Sequence, residues 1–203
     1  MGYMKEVTEK QEFNISVYSE NHVGLLSQIA SVFTRRKINI ESLNISPSEL
    51  KGIHRFCIMI CEAEVVVRKL LKQIEKLNEV IKVYCHLNSE VIWQELALYK
   101  MPAKVIQEEF KVERLLRKFG ARVVVIRKDY VVFETCGHRE ETDNLLNVLQ
   151  FFGLVEFVRS ARIAIVESSV GFHEKLKEFE RLDPAHLSFS LQGGKAGTAK
   201  VIV

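Results

Sequence analysis

The stretch YSENHVGLLSQIASVFTRRKINIESLNI, residues 18–45, decides the fold. An alternating, strand-like run (FNISVY, residues 13–18) leads into a turn that carries Asn21 and Gly24. Leu25, Leu26, Ile29, Ala30 and Phe33 then repeat at helical spacing across residues 24–36, and Arg35, Arg36 and Lys37 stand at the end where the helix dipole favours cations. From residue 38 to 46 the pattern alternates again. Strand, helix and returning strand follow in order, and a second asparagine, Asn39, opens that strand, which the spacing brings back to the mouth of the helix.

Working outward, residues 47–52 are turn-rich, 55–61 form a dense apolar strand, 64–77 carry Val67, Leu70, Leu71, Ile74 and Leu77 at helical spacing, and 80–87 read as a strand. The order is β-α-β-β-α-β, the ferredoxin-like plan. The same order then repeats. Residues 91–99 read as a strand, 103–119 as one helix closed by Gly120, 122–126 and 130–135 as strands, 140–152 as a helix ended by Gly153, and 155–159 as the closing strand. The pattern predicts an α+β chain of two tandem ferredoxin-like domains: an N-terminal segment 1–12, domains 13–88 and 89–167, and an extension 168–203. Residues 161–166 continue as strand or extended chain, 172–181 suit a short helix, and QGGKAGT (192–198) is flexible in composition, which predicts a poorly ordered end.

Composition narrows the function classes. A chain of 203 residues with 47% hydrophobic residues can bury two cores. A net charge of +3 spread over 27% charged residues is not the concentrated basic patch of a nucleic-acid binder. No run of about 18 apolar residues suggests a membrane span, and the polar start MGYMKEVTEK is no signal peptide, so a cytoplasmic protein is expected. Cys57, Cys61, Cys85 and Cys136 lie in apolar strand-like runs and read as reduced core thiols.

The corner around Gly24 offers amides and bare backbone where a catalytic site would need a base or nucleophile. A helix N-terminus leaves unpaired N–H groups and partial positive charge, which suit a carboxylate. Gly24 lets a ligand approach the backbone. Asn21 can cap the helix or turn its amide to the ligand, and the carbonyl oxygen of Asn39 can accept from an ammonium group. Val23, Leu26 and Ile40 can line a small apolar pocket. Together these suit a free aliphatic amino acid, with plain capping and turn roles as the alternative.

The runs ENHVGLL (20–26) and KINIESL (37–43) resemble the N-terminal ACT domain of the small, regulatory subunit of acetolactate synthase (acetohydroxyacid synthase). The second half agrees: QELALYK (94–100), FGA (119–121), ETCG (134–137) and VEFVRS (155–160) are similar to the family's motifs. The family's closing Thr-Gly is Ser160-Ala161 here, residues 100–102 depart from its linker, and its usual tail is shorter than 168–203. The resemblance implies a chain that is not itself an enzyme. It implies a thiamine-diphosphate-dependent large subunit as partner, activated by this chain, with ThDP, Mg and FAD held only by that partner. It implies feedback inhibition by valine or another branched-chain amino acid, bound between the ACT domains of a homodimer. The effector-binding positions carried over are Asn21, His22, Val23, Gly24, Leu25, Leu26, Asn39 and Ile40. A stand-alone amino-acid sensor acting on another partner is the alternative.

Other constellations fare worse. KGIHRFC (51–57) begins like an RNA-recognition signature and fails at its first aromatic. Cys57 and Cys61, four apart on a strand, stand roughly 13 Å from each other, too far to share a metal. Cys136 and His138 read as a strand end and a helix start rather than a nucleophile–base pair. GKAGT (194–198) lacks the Ser or Thr of a phosphate loop. Phe172, Leu176 and Phe179 suit either a docking segment or packing onto the chain's own second domain.

Overall fold

The computed structural model describes residues 9–48, 50, 52–108 and 110–168, together with Glu174, Lys177 and Arg181. The chain divides into two compact units, one containing Met1–Glu90 and the other Val91–Ile165. In the first unit, β1 (Gln11–Glu20), β2 (Ser42–Pro47), β3 (Ile53–Glu62) and β4 (Val80–Leu87) form an antiparallel sheet in the order β2-β3-β1-β4. Helices α1 (Leu25–Arg36) and α2 (Glu64–Ile74) complete the ferredoxin-like plan. Alternation along each strand sends Ile15, Val17, Ile58 and Ile60 into one core with Leu25, Ile29 and Phe33 of α1 and Val67, Leu70 and Ile74 of α2.

Local chemistry sets the ends of α1. Lys37 takes the left-handed conformation (φ 56°) at its C-terminus, its N–H reaching Phe33 O and Thr34 O. The N–H of Ile38 also donates to Phe33 O, at 3.1 Å, and Ile38 is buried: the paired bonds and apolar contact of a Schellman close. These contacts hold residue 38 to the helix end, so β2 begins at Ser42 rather than at 38.

The second unit repeats the order. Strands β5 (Val91–Pro102), β6 (Arg122–Ile126), β7 (Tyr130–Gly137) and β8 (Glu156–Arg159) run β6-β7-β5-β8, and β9 (Ile163–Val166) also pairs β5. Of the helix expected at 103–119, the described residues give α3 (Ala103–Glu108) and α4 (Phe110–Lys118), with residue 109 outside them, followed later by α5 (Arg139–Gln150). Gly120 and Gly153 end α4 and α5 at positive φ, as expected of C-terminal glycines. Ala97, Tyr99, Met101, Val112, Leu116, Phe133, Leu145 and Leu149 form this core.

At its rim the Glu95 carboxylate, fully buried, lies 3.4 Å from Arg139 and 3.6 Å from Arg159, and Arg159 also pairs with Asp143. One buried anion thus ties β5, β8 and α5 together. The expected tail, 192–198, lies outside the described residues. Within 172–181, Glu174, Lys177 and Arg181 are helical.

Candidate functional site

Strand β1 ends where its backbone is tied from both sides. The Glu20 N–H donates to Glu79 O (3.0 Å) and the Asn21 N–H to Gly52 O (3.1 Å). The chain then turns through His22 and Val23 into Gly24, which takes φ 90° and serves as the N-cap of α1. A side chain is strained at that φ, yet a Cβ there would meet nothing within 4 Å, so the mouth of the helix is open space.

No side chain caps α1, and its first turn carries no acid. Asn21 therefore does not act as the cap, one of the two roles open to it; its side chain is exposed. Among the described residues the amides of Val23, Gly24, Leu26 and Ser27 have no acceptor. A cluster of unpaired N–H groups at the positive end of a helix is a site for an anionic group of small size.

The remaining expected residues divide. Val23 is 95% exposed and Leu26 45%, both apolar and both at the mouth. His22 is exposed beside them, and Ile40 is half-buried. Leu25, expected in the effector set, is 1% exposed and belongs to the core under α1, because the helix turns it inward toward Ile29 and Phe33. Its side chain cannot line the mouth.

Asn39 is exposed, and its Nδ2 donates to Glu41 Oε1 at 2.8 Å. That bond fixes the amide so that Oδ1 is left to accept, with a carboxylate beside it, which suits an ammonium group. Glu41 had not been singled out among the effector residues. The signal was its i, i+2 spacing from Asn39 in an extended segment, which puts both side chains on one side.

Asn39 does not return to the mouth of its own helix. Ser42 at the start of β2 pairs Met59, and Met59 pairs Asn14 near the start of β1. Glu20, at the other end of β1, pairs Ile53. The two strands therefore run parallel with β3 between them, and Asn39 sits at the C-terminal end of α1, about 18 Å of helix from Gly24. The two halves of the corner occupy opposite ends of one chain's α1.

Other sites contribute less. A cavity of about 470 Å³ in the second unit is lined by Ala103, Ile106, Leu116 and Val131; of its three charged members, Glu113 and Arg117 pair with each other at 2.7 Å, and the third is Arg127. No group of His, Cys, Asp or Glu suited to a metal occurs among the described residues. The cysteines are free, but only Cys57 is buried and Cys85 partly so. Cys61 and Cys136 are exposed, because each stands near a strand end on the face away from the helices. His138 packs edge-on against Trp93 at 4.2 Å, and its N–H is held by Glu141 Oε2 at 2.8 Å, so it begins α5 as a helix cap.

Comparison with known proteins agrees with this architecture. Residues 15–82 match the model of the acetohydroxyacid synthase small-subunit-like ACT domain, and residues 94–168 match that of the small subunit of acetolactate synthase. The probable acetolactate synthase small subunit of Methanothermobacter thermautotrophicus is 32% identical over 155 residues, covering 76% of this chain and 92% of the relative. The acetolactate synthase small subunit of Bacillus subtilis is 29% identical over 150 residues, covering 73% and 87%. The crystal structure of the small subunit from Thermotoga maritima superposes with a TM-score of 0.71 at 25% identity, covering 79% of this chain and 99% of that one. With two ferredoxin-like units, a glycine-capped open helix mouth in the first and matches that run through both, the chain belongs to the acetolactate synthase small-subunit family.

Proposed function

We propose that this chain is the non-catalytic regulatory subunit of an acetolactate synthase, and that it binds a branched-chain amino acid, valine foremost, in a site shared between two copies. The carrying observation is the split of the corner. Unpaired amides at Gly24 suit a carboxylate; Asn39, oriented by Glu41, suits an ammonium group; and they lie at opposite ends of α1. One amino acid cannot span about 18 Å of helix, so both halves serve one ligand only across a dimer.

The sheet supports such a dimer. Strand β2 is one of its two edges, β4 being the other, and carries Ile45, which is 36% exposed. A two-fold pairing of β2 with its copy runs the strands antiparallel, which sets the Asn39 end of one chain beside the Gly24 end of the other. Val23 and Leu26, exposed in the single chain, would then flank a short aliphatic side chain.

The chain's own residues carry no chemistry in this reading. Thiamine diphosphate, Mg and FAD belong to the catalytic large subunit, which this chain activates. Valine favours one dimer arrangement over another, and the large subunit senses the difference, a coupling of about 1–3 kcal/mol in typical allosteric pairs. Among the described residues no helix is long and apolar enough to cross a membrane, and we place the holoenzyme in the cytoplasm.

Reconstitution with an acetolactate synthase large subunit tests the proposal. Adding the chain should raise acetolactate formation, and valine should then lower it. A large subunit that neither gains activity nor becomes valine-sensitive would overturn it.

A further inference from the structure

Helices α1 and α4 close in the same way. The Ile38 N–H donates to Phe33 O, five residues back, and the Ala121 N–H donates to Leu116 O, also five back, at 2.8 Å. The matched closes put Leu116 in the place of Phe33 and Ala121 in the place of Ile38. In the first unit Phe33 and Ile38 are buried and fill the core beside α1. In the second unit the side chain is smaller at both positions, and α3 begins on another small residue, Ala103. Volume removed from a core is only partly refilled by relaxation. The space left is the cavity of about 470 Å³ between α3, α4, β6 and β7.

The depth of this cavity is apolar. Ala103, Leu116, Val131 and Phe133 line it and are themselves buried. Val123 and Ile126 of β6 stand exposed at its mouth. Its charged lining is Glu113, Arg117 and Arg127. Glu113 is engaged by Arg117, one helical turn on, at 2.7 Å. Among the described residues the Arg127 guanidinium has one acceptor, the Ile126 carbonyl oxygen at 3.3 Å, and no carboxylate. The lining therefore carries one uncompensated positive charge, with most of its donors open to a ligand. No carboxylate in it is left to receive an ammonium group.

We propose that this cavity is a ligand site for an apolar monocarboxylate without an α-amino group. The apolar body enters between α4 and β7, and the carboxylate meets Arg127, whose planar fork can bind both oxygens. An amino acid is disfavoured there, because its ammonium would lose water with nothing to accept from it. The site thus differs in class from the Gly24 and Asn39 corner, where Glu41 stands beside the amide. It lies wholly within the second unit and needs no second copy.

Titration calorimetry of the full chain with sodium octanoate, below its micelle-forming concentration, tests the proposal. Octanoate should bind saturably at one per chain. Octanamide and 2-aminooctanoate should each bind at least about tenfold more weakly, as should octanoate to Arg127→Glu. Arg127→Lys keeps the charge and should retain most of the affinity. Arg127 is exposed, so neither variant disturbs the core. Methyl NMR of the wild-type chain locates the ligand independently: octanoate should shift Val123, Ile126 and Val131 and leave Ile15 and Ile58 of the first unit unmoved. No saturable binding of octanoate would overturn the proposal. So would affinity that Arg127→Glu leaves unchanged, equal affinity for octanamide or 2-aminooctanoate, or methyl shifts that spare Val123, Ile126 and Val131.

Discussion

Gly24 combines the two properties a ligand mouth needs: a φ near 90° that strains any side chain, and open space above it. Replacing it with Asp adds backbone strain and sets a carboxylate where the ligand's own carboxylate would bind. Asn39→Tyr removes the oriented carbonyl acceptor. Either change should abolish valine inhibition and leave activation of the large subunit intact; inhibition at unchanged valine would count against the site. The open helix mouth at Gly24 was legible from the glycine ahead of an amphipathic run, whereas no signal in the sequence shows that Asn39 stands at the far end of α1. Leu25 came with a contiguous motif, and the helical phase that buries Ile29 turns its side chain into the core.

Cys85 offers a separate residue-scale test. Burial pushes its thiol up to about 12 from an ordinary value near 9.0, with Glu90 and Glu64 adding to the rise. The folded state therefore holds this proton more tightly than the unfolded state. The resulting stability is complete below about pH 9 and is lost as pH climbs toward 12. Chemical denaturation from pH 8 to 11 should show stability falling with pH, and Cys85→Val should flatten the fall. An identical slope in both proteins would contradict this account of the thiol.

At the scale of elements, the strand and helix order was readable throughout from alternation and helical spacing. Strand β4 and strand β6 match the expected bounds. Periodicity marks a returning strand, but only pairing through β3 shows that β2 starts at the far end of α1.

Glu95 was legible as part of a motif and not as a buried anion, since nothing local reveals that Arg139 and Arg159 converge on it. Removing it leaves Arg159, itself largely buried, with only Asp143. Glu95→Ala should cost about 3–5 kcal/mol, read as a lower urea midpoint. A midpoint within error of wild type would show that the cluster is not a structural tie.

At the scale of the molecule, two units share one strand order, but only the first has an open helix mouth. The matching junction in the second unit is Pro102–Ala103, where the Ala103 N–H already donates to Asp129 O at 3.0 Å and no glycine is present. The repeat thus keeps the scaffold and lacks the site. Titration calorimetry should accordingly give one valine per chain, and two per chain would assign a site to the second unit as well.

The central claim is that each effector site takes its Gly24 end from one copy and its Asn39 end from another. A mixture of Gly24→Asp and Asn39→Tyr chains tests it most directly, with subunits exchanged by co-expression and valine binding measured by calorimetry. In a mixed dimer one site carries both defects and the other carries neither. Neither variant alone should bind valine, and an equimolar mixture should recover about a quarter of the wild-type sites, since half the dimers are mixed and each has one intact site. A mixture that binds no more valine than the separate variants would contradict the shared site.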